Sequence, residues 1–189
     1  MYQHEYFRDA ILIITIFLFI GVSAGYVGVS FFSGLSDTIG EMYEGLDISD
    51  DPTQSPLQFA VSVFFNNIQS CTIAFLGGII FSLIPIGLIL YNGFFLGASI
   101  KILSHQGSFF FLSIIPNVLF EIPALILSAS LGMMLGQKFI YNKIFHRTCE
   151  PIFLKELVGI FILYIIPMML IAAVLEAYVS THLLEILGT

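Results

Sequence analysis

The chain has 189 residues, of which 58% are hydrophobic and only 10% are charged, and its mean hydropathy is +0.99. Soluble domains carry about 25% charged residues, so the composition excludes a soluble enzyme or binding module and indicates an integral membrane protein. The net charge is -7 and basic residues form no dense cluster, which argues against a nucleic-acid partner.

The first predicted element is a membrane-spanning helix over residues 10–32. Its apolar run is longer than the hydrophobic region of a signal peptide, which takes about 7–15 residues, so we expect the helix to be retained. A loop over residues 33–56 follows and contains neither Lys nor Arg. Its acidic residues are Asp37, Glu41, Glu44, Asp47, Asp50 and Asp51.

The apolar run from Leu57 to Ile100 is too long for one spanning helix. At about 1.5 Å per residue it would measure roughly 65 Å, which is about twice the thickness of the bilayer core. We predict breaks at the polar residues 66–70 and at 91–93, and a kink at Pro85. The breaks divide the run into an interfacial helix, a second span and a third span, over residues 57–68, 69–90 and 92–105.

Residues 107–116 form an apolar piece too short to cross the bilayer alone, since a spanning helix needs about 20 residues. The piece is expected either to re-enter the membrane as a half-helix or to extend the third span. The fourth span is predicted over 118–139, and a basic loop follows over 140–156. The fifth span is predicted over 157–180, with a kink at a proline, Pro167.

The predicted fold is an all-α bundle of about five spans, with a broken or re-entrant helix and short interfacial helices. Residues 1–189 form it as a single integral membrane domain. Loops rich in Lys and Arg favour the cytoplasmic side, so the loop over 140–156 is placed inside the cell and the acidic loop over 33–56 outside. This multi-pass arrangement in the cell membrane gives a cytoplasmic N-terminus and an outer C-terminus.

Small residues recur at helical spacing and predict close approach of helix backbones. They are Gly93 and Gly97 on the third span and Ala124, Ser128, Gly132 and Gly136 on the fourth. Gly21, Gly25 and Gly28 show a similar pattern on the first span. Packing inside one subunit, contact between subunits and a permeation path would each explain such stripes, and we expect a homo-oligomer, most simply a dimer, through one glycine-stripe face.

Polar side chains inside apolar runs are the candidate site residues, because such groups usually face the interior of a helix bundle or a cavity. They are Asn66, Asn67, Asn92, Lys101, Asn117 and Glu121. Lys101 ends the predicted third span and Glu121 begins the fourth, so we predict that the two approach each other. They would form a structural ion pair or part of an ion or proton site. The asparagines would satisfy backbone groups at helix breaks or bind a ligand.

No pattern typical of an enzyme is present in the sequence. A nucleophile elbow, a zinc-protease motif and a phosphate-binding loop are all missing, and Cys71 and Cys149 do not have metal-ligand spacing. We therefore expect no catalytic residues, no metal and no cofactor. An enzyme acting on lipid or peptide would have only Lys101, His105 and Glu121 as candidates.

Three short segments carry a family resemblance. They are Phe64-Phe65-Asn66-Asn67, then Tyr91-Asn92-Gly93-Phe94-Phe95-Leu96-Gly97, then Pro116-Asn117-Val118-Leu119-Phe120-Glu121-Ile122-Pro123-Ala124 followed by Gly132 and Gly136. In this order and spacing, over about residues 60–145, they resemble the stage II sporulation protein M family of multi-pass membrane proteins. The family's third motif commonly reads Pro-His-Gly where this chain has Pro116-Asn117-Val118, and the missing histidine argues against a proton relay or metal there.

The resemblance implies a membrane component whose activity is not fixed by family membership alone. In spore formers, the family's namesake works in a membrane complex that drives engulfment and anchors peptidoglycan-degrading partners. We therefore expect a non-catalytic scaffold in the lipid bilayer that holds protein partners through its outer acidic loop or its basic inner loop, in a role related to sporulation or to another process. The alternative is a small homo-oligomeric transporter or channel that uses polar groups buried between broken helices.

Overall fold

The computed structural model consists of helices and turns throughout the residues that it describes, without a strand among them, which confirms the all-α fold. It describes residues 2–32, 34, 55–80, 82–104, 108–143 and 154–180, with side chains at 6–32, 34, 55–80, 82–102, 104, 118–137 and 154–179. Within these ranges, 5 helices are long and apolar enough to cross a membrane, in agreement with the predicted number of spans.

The helices follow one another as a bundle along the chain. They are α1 (Tyr2–Phe31), α2 (Pro56–Gly77), α3 (Leu83–Leu103), α4 (Ser108–Lys143), α5 (Leu154–Ile160) and α6 (Ile166–Leu175), with π-helical segments at Phe161–Ile165 and Glu176–Ser180. The fifth span combines α5, α6 and the π-helical segments. Most of the predicted loops over 33–56 and 140–156 lie outside the described residues, so their sidedness stays a prediction.

The long second apolar run breaks at one place, between residues 77 and 83, and the predicted breaks at 66–70 and 91–93 are wrong. Gly77 and Gly78 precede the turn, and Ser82 closes it with a left-handed φ of 59°. Residues 57–68 are therefore the first half of the spanning helix α2, which begins at a capping box formed by Ser55 and Gln58.

The amide and hydroxyl side chains at the predicted breaks bond within their own helices instead of interrupting them. The Asn92 side-chain Nδ2 donates to the Leu88 carbonyl at 2.8 Å, and the Ser70 hydroxyl donates to the Asn66 carbonyl at 3.3 Å. Because these bonds run back by one turn, the helix continues through them. Consequently the second span ends at residue 77 rather than 90. Pro85 lies in the first turn of α3, where its missing N–H has no helical partner to lose.

The apolar piece over 107–116 neither re-enters the membrane nor extends the third span. From Ser108 onward it is the first part of α4, which continues without interruption for 36 residues to Lys143. A helix of that length measures about 54 Å, so it extends beyond a bilayer core of about 30 Å. Its apolar spanning part, Val118–Gln137, agrees with the predicted fourth span over 118–139.

The fifth span contains an irregularity next to Pro167, where a kink is predicted. The Ile166 N–H donates to the Phe161 carbonyl five residues back, as in a π-helix. A π-helical turn is a common way for a helix to accommodate a local disruption. Pro167 is therefore in the first turn of α6, which follows this wider turn directly.

Glycines join α1 and α3 into a closely packed parallel pair. A Cβ atom added at Gly93 would lie 2.7 Å from the Leu18 carbonyl oxygen, and one added at Gly21 or Gly25 would meet the backbone of α3. Gly97 likewise faces the backbone of α1. The contacts advance in the same direction along both helices. Helices α1 and α3 are thus parallel, as the first and third spans of an alternating bundle must be.

A second parallel pair consists of α2 and α4. A Cβ atom at Gly132 would meet the carbonyl oxygen of Ala74, and one at Gly136 would meet that of Gly78. These approaches again place backbone against backbone. Small residues therefore act here as they do in other membrane bundles, where close backbone contact replaces the hydrophobic effect.

The other small residues of the α4 stripe are also enclosed by the chain itself. Ala124 and Ser128 are fully buried, and the Ser128 hydroxyl donates to the Cys71 carbonyl of α2 at 2.6 Å. The stripe glycines on α1, α3 and α4 for which a close approach is seen thus pack against helices of the same chain. The homo-oligomer itself stays a prediction, and a second copy would have to contact another surface.

Candidate intramembrane polar site

A cavity of about 340 Å³ lies where α2, α3, α4 and α6 meet. Ligand sites in proteins are usually about 300–1,000 Å³, so this volume is sufficient for a side chain or a small molecule. The cavity is lined by Asn66, Asn67, Ser70, Leu88, Tyr91, Asn92, Phe95, Glu121, Leu125 and Met169.

The polar lining lies deep in the membrane rather than at its surfaces. Asn66 and Asn67 lie midway along α2, and Tyr91 and Asn92 lie near the middle of α3. Because α3 and α4 are antiparallel neighbours, Asn92 and Glu121 reach the same depth at similar distances from the short connection between them. The four predicted site residues Asn66, Asn67, Asn92 and Glu121 therefore converge on one cavity.

Among the described residues that line the cavity, Glu121 is the only acidic one, and none is Lys, Arg or His. Among the described residues, the Glu121 carboxyl forms neither a hydrogen bond nor an ion pair, whereas the Asn92 amide nitrogen is bonded to Leu88. Nearby carbonyl oxygens belong to the side chains of Asn66 and Asn67. The cavity thus combines a carboxyl group with hydrogen-bonding groups and carries no positive charge of its own.

The cavity opens sideways. Asn66 is exposed, and Tyr91 retains 55% of its surface exposed although it lies mid-helix. Next to Asn66 on α2, Phe65 and Gln69 are exposed as well. Since these positions are at mid-depth in their spans, the opening between α2 and α3 faces the hydrocarbon layer rather than either aqueous side.

Lys101 does not form the predicted ion pair with Glu121. Its ammonium nitrogen lies 5.2 Å from the centre of the Tyr26 ring of α1, and the ion pair that the described residues form is Arg8–Asp9. The prediction assumed that α4 begins near residue 118. Because α4 begins at Ser108, Glu121 lies about 20 Å from the start of this helix, whereas Lys101 lies in the last turn of α3.

Several lining residues were not among the sequence candidates. Ser70 lies four residues after Asn66, and Phe95 lies three residues after Asn92, so helical spacing from the amides could have indicated both. The Phe95 and Tyr91 rings pack with their centres 4.6 Å apart. The sequence could not indicate Met169 on α6 as a lining residue, because one apolar residue in an apolar span does not differ from those around it. The backbone of Asn117 is helical, but its side chain lies outside the described residues.

A family model describes the same part of the chain. The model for stage II sporulation protein M matches residues 14–181, which is most of the chain. The chain belongs to the stage II sporulation protein M family. No curated protein and no solved structure matches it.

The three segments that resemble the stage II sporulation protein M family contribute to one place in the fold. The first segment supplies Asn66 and Asn67 to the cavity, the second supplies Tyr91 and Asn92, and the third supplies Glu121. Glycines of the same segments hold the helices that surround the cavity. In this member of the stage II sporulation protein M family, the cavity is therefore the first candidate for a functional site.

We expect Glu121→Gln and Lys101→Met to change the free energy of unfolding independently. Each side chain has its own surroundings, so the double variant should equal the sum of the single variants within about 0.5 kcal/mol. Unfolding in mixed detergent micelles measures all three. As a positive control, Lys101→Met should couple with Tyr26→Leu, because a cation–π contact contributes about 0.5–1 kcal/mol. A stabilising coupling above about 1 kcal/mol between Lys101 and Glu121 would contradict the described arrangement.

Proposed function

We propose that this chain is a non-catalytic membrane component that anchors partner proteins in a membrane complex. The observation that carries the proposal is the sideways opening of the polar cavity at mid-depth in the bilayer. A polar surface exposed to hydrocarbon is unfavourable unless another membrane-embedded group covers it. Membership of the stage II sporulation protein M family supports a role in a membrane complex.

Anchoring through the membrane-embedded part differs from anchoring through loops. The exposed residues Tyr91 and Asn66 both line the cavity at its opening. Polar side chains between membrane helices form hydrogen bonds that stabilise helix association by about 1 kcal/mol each. A partner helix seated at the opening would therefore gain several such contacts while it covers the cavity.

Photo-crosslinking in native membranes tests the anchoring proposal. A benzophenone amino acid is placed at Tyr91, at the opening, and in a matched control at Phe19, which is 66% exposed on α1. We expect the Tyr91 probe to yield one or a few defined protein adducts and the Phe19 probe to yield mainly lipid adducts. Mass spectrometry identifies the adducts. Lipid adducts alone at both positions would contradict the proposal.

The second candidate function is a transporter or channel, and the polar cavity at mid-depth with its carboxyl group is the observation that favours it. Substrate sites of transporters lie near the bilayer midplane. The helices around this cavity, however, are continuous at the lining residues Asn66 and Asn92, so the broken-helix argument no longer supports this candidate. Ion or solute flux into liposomes that disappears in Glu121→Gln would favour transport over anchoring.

A further inference from the structure

The chemistry of the cavity identifies the kind of partner that fits it. We propose that the cavity around Glu121 receives a Lys or Arg side chain from the middle of another protein's transmembrane helix. This inference rests on the proposed anchoring function and names the partner's recognition group. It follows from three independent features of the chain: the charge of the lining, the direction of the opening, and the distribution of basic residues.

The lining selects for a hydrogen-bond donor that carries positive charge. The Glu121 carboxyl is free of hydrogen bonds and ion pairs within the described residues, and the lining contains no basic side chain. Asn92 uses its amide nitrogen on the Leu88 carbonyl, so its side-chain oxygen remains an acceptor. The side-chain amides of Asn66 and Asn67 each supply an acceptor oxygen beside a donor nitrogen. An ammonium or guanidinium group, which only donates hydrogen bonds, complements the Glu121 carboxyl and the amide oxygens.

The direction of the opening selects for a group that arrives within the membrane. Tyr91 and Asn66 face the hydrocarbon layer at mid-depth, so a hydrated ion would have to cross lipid to reach them. A transmembrane helix diffuses in the plane of the bilayer and presents its side chains at this level. A mid-span Lys or Arg is unfavourable in lipid and pairs with a polar group where one is accessible.

The distribution of basic residues argues against a second copy of this chain as the source of the charge. Among the described residues, the Lys and Arg residues lie at or beyond the ends of the spans rather than in their middle; they are Arg8, Lys101, Lys138, Lys143 and Lys155. Lys101, in the last turn of α3, contacts Tyr26 of α1. We therefore assign the cation to a different protein.

Synthetic transmembrane peptides test this inference directly. Three peptides of about 20 Leu and Ala residues differ only at the central position, which is Lys, Leu or Glu. The purified full-length protein carries a donor dye in phosphatidylcholine vesicles, and energy transfer to labelled peptide reports binding. We expect the Lys peptide to bind about tenfold more tightly than the Leu peptide, as one or two polar contacts between membrane helices would give. The Glu peptide should bind no better than the Leu peptide.

Variants of the protein show whether the preference depends on Glu121. Glu121→Gln should abolish the preference for the Lys peptide, and Glu121→Lys should transfer it to the Glu peptide. Glu176→Gln is the matched control, because Glu176 lies in the fifth span away from the cavity lining, and it should keep the preference. Circular dichroism and gel filtration establish that each variant is folded. If Glu121→Lys is misfolded, Glu121→Gln alone decides the result.

Equal binding of the three peptides to the wild type would overturn the inference, as would a preference that survives in Glu121→Gln. Cation flux that depends on Glu121, without any peptide preference, would also overturn it and would favour the transport candidate. If crosslinking at Tyr91 identifies a partner whose binding is unchanged in Glu121→Gln, the anchoring function stands and the cation inference fails. If the Lys preference is present but no native partner is crosslinked, the anchoring function fails and the cation selectivity of the site stands.

Discussion

Gly97→Leu is expected to lower the free energy of unfolding by about 3 kcal/mol, and it should have the largest effect of any single change at the α1–α3 contact. A Cβ atom at Gly97 would meet the backbone of Val22, and no rotation of a side chain can move a backbone away. The whole helix must shift. That shift would also separate Gly93 from the Leu18 carbonyl and so remove the neighbouring contact. Unfolding in mixed micelles, followed by circular dichroism, measures the change.

Gly87→Leu on the same helix is the matched control for Gly97→Leu. No atom lies within 4 Å of a Cβ atom built at Gly87, which faces outward. Leucine also has a higher helix propensity than glycine by about 1 kcal/mol. The control should therefore leave stability unchanged or raise it. Equal destabilisation by the two substitutions would show that the loss comes from glycine's role in the helix backbone rather than from contact with α1.

The glycine stripes were predictable from spacing alone, but their partners were not. Gly93 and Gly97 recur every four residues, which places them on one face of a helix whatever the helix packs against. The sequence contains no comparable signal for which helix lies opposite. Gly21 and Gly25 on α1 were visible as a similar stripe. Matching it to α3 rather than to a second copy requires the three-dimensional arrangement of the alternating spans.

The position of the break in the second apolar run illustrates how a polar side chain can mislead. Asn66 and Asn92 looked like interruptions, because amides are unfavourable in hydrocarbon. Each amide is accommodated without a break in its helix. The Asn92 amide donates a hydrogen bond to the carbonyl one turn earlier, and Asn66 lies at the cavity opening. The actual break lies between Gly77 and Leu83, where Ser82 takes a left-handed φ of 59°. Polarity along the chain indicated where a cavity is, whereas turn-forming residues indicated where the helix ends.

The sequence predicted which residues form the candidate site, but it did not predict that four of them line one cavity. Intramembrane position alone selected Asn66, Asn67, Asn92 and Glu121, since polar groups in spans usually face the interior. These four residues lie at one depth in the bundle because α4 begins at Ser108. A continuous apolar sequence does not show where such a helix begins. The same unknown start produced the wrong pairing of Glu121 with a lysine.

Substitution of Gly132 on α4 is expected to produce the second largest loss of stability, at the α2–α4 contact. A Cβ atom at this position would meet the Ala74 carbonyl oxygen and would lie 3.0 Å from that of Phe75. Because the first added carbon already collides with backbone, Gly132→Ala should destabilise by about 1 kcal/mol or more despite the better helix propensity of alanine. Gly132→Leu should cost about 3 kcal/mol.

Gly159→Leu on α5 is the control for the Gly132 series, since nothing lies within 4 Å of a Cβ atom there. We expect it to be close to neutral. In a Cys149→Ser background, which leaves Cys71 as the one thiol, the separation of α2 from α4 should also break the hydrogen bond from the Ser128 hydroxyl to the Cys71 carbonyl and increase the reactivity of the buried Cys71 thiol toward a maleimide. Thiol reactivity therefore reports local opening independently of global unfolding. A Gly132→Leu protein with wild-type stability and an unreactive Cys71 would mean that α2 and α4 do not pack through their backbones. The walls of the Glu121 cavity would then lose their support, because α2 carries Asn66 and Asn67 and α4 carries the carboxyl group.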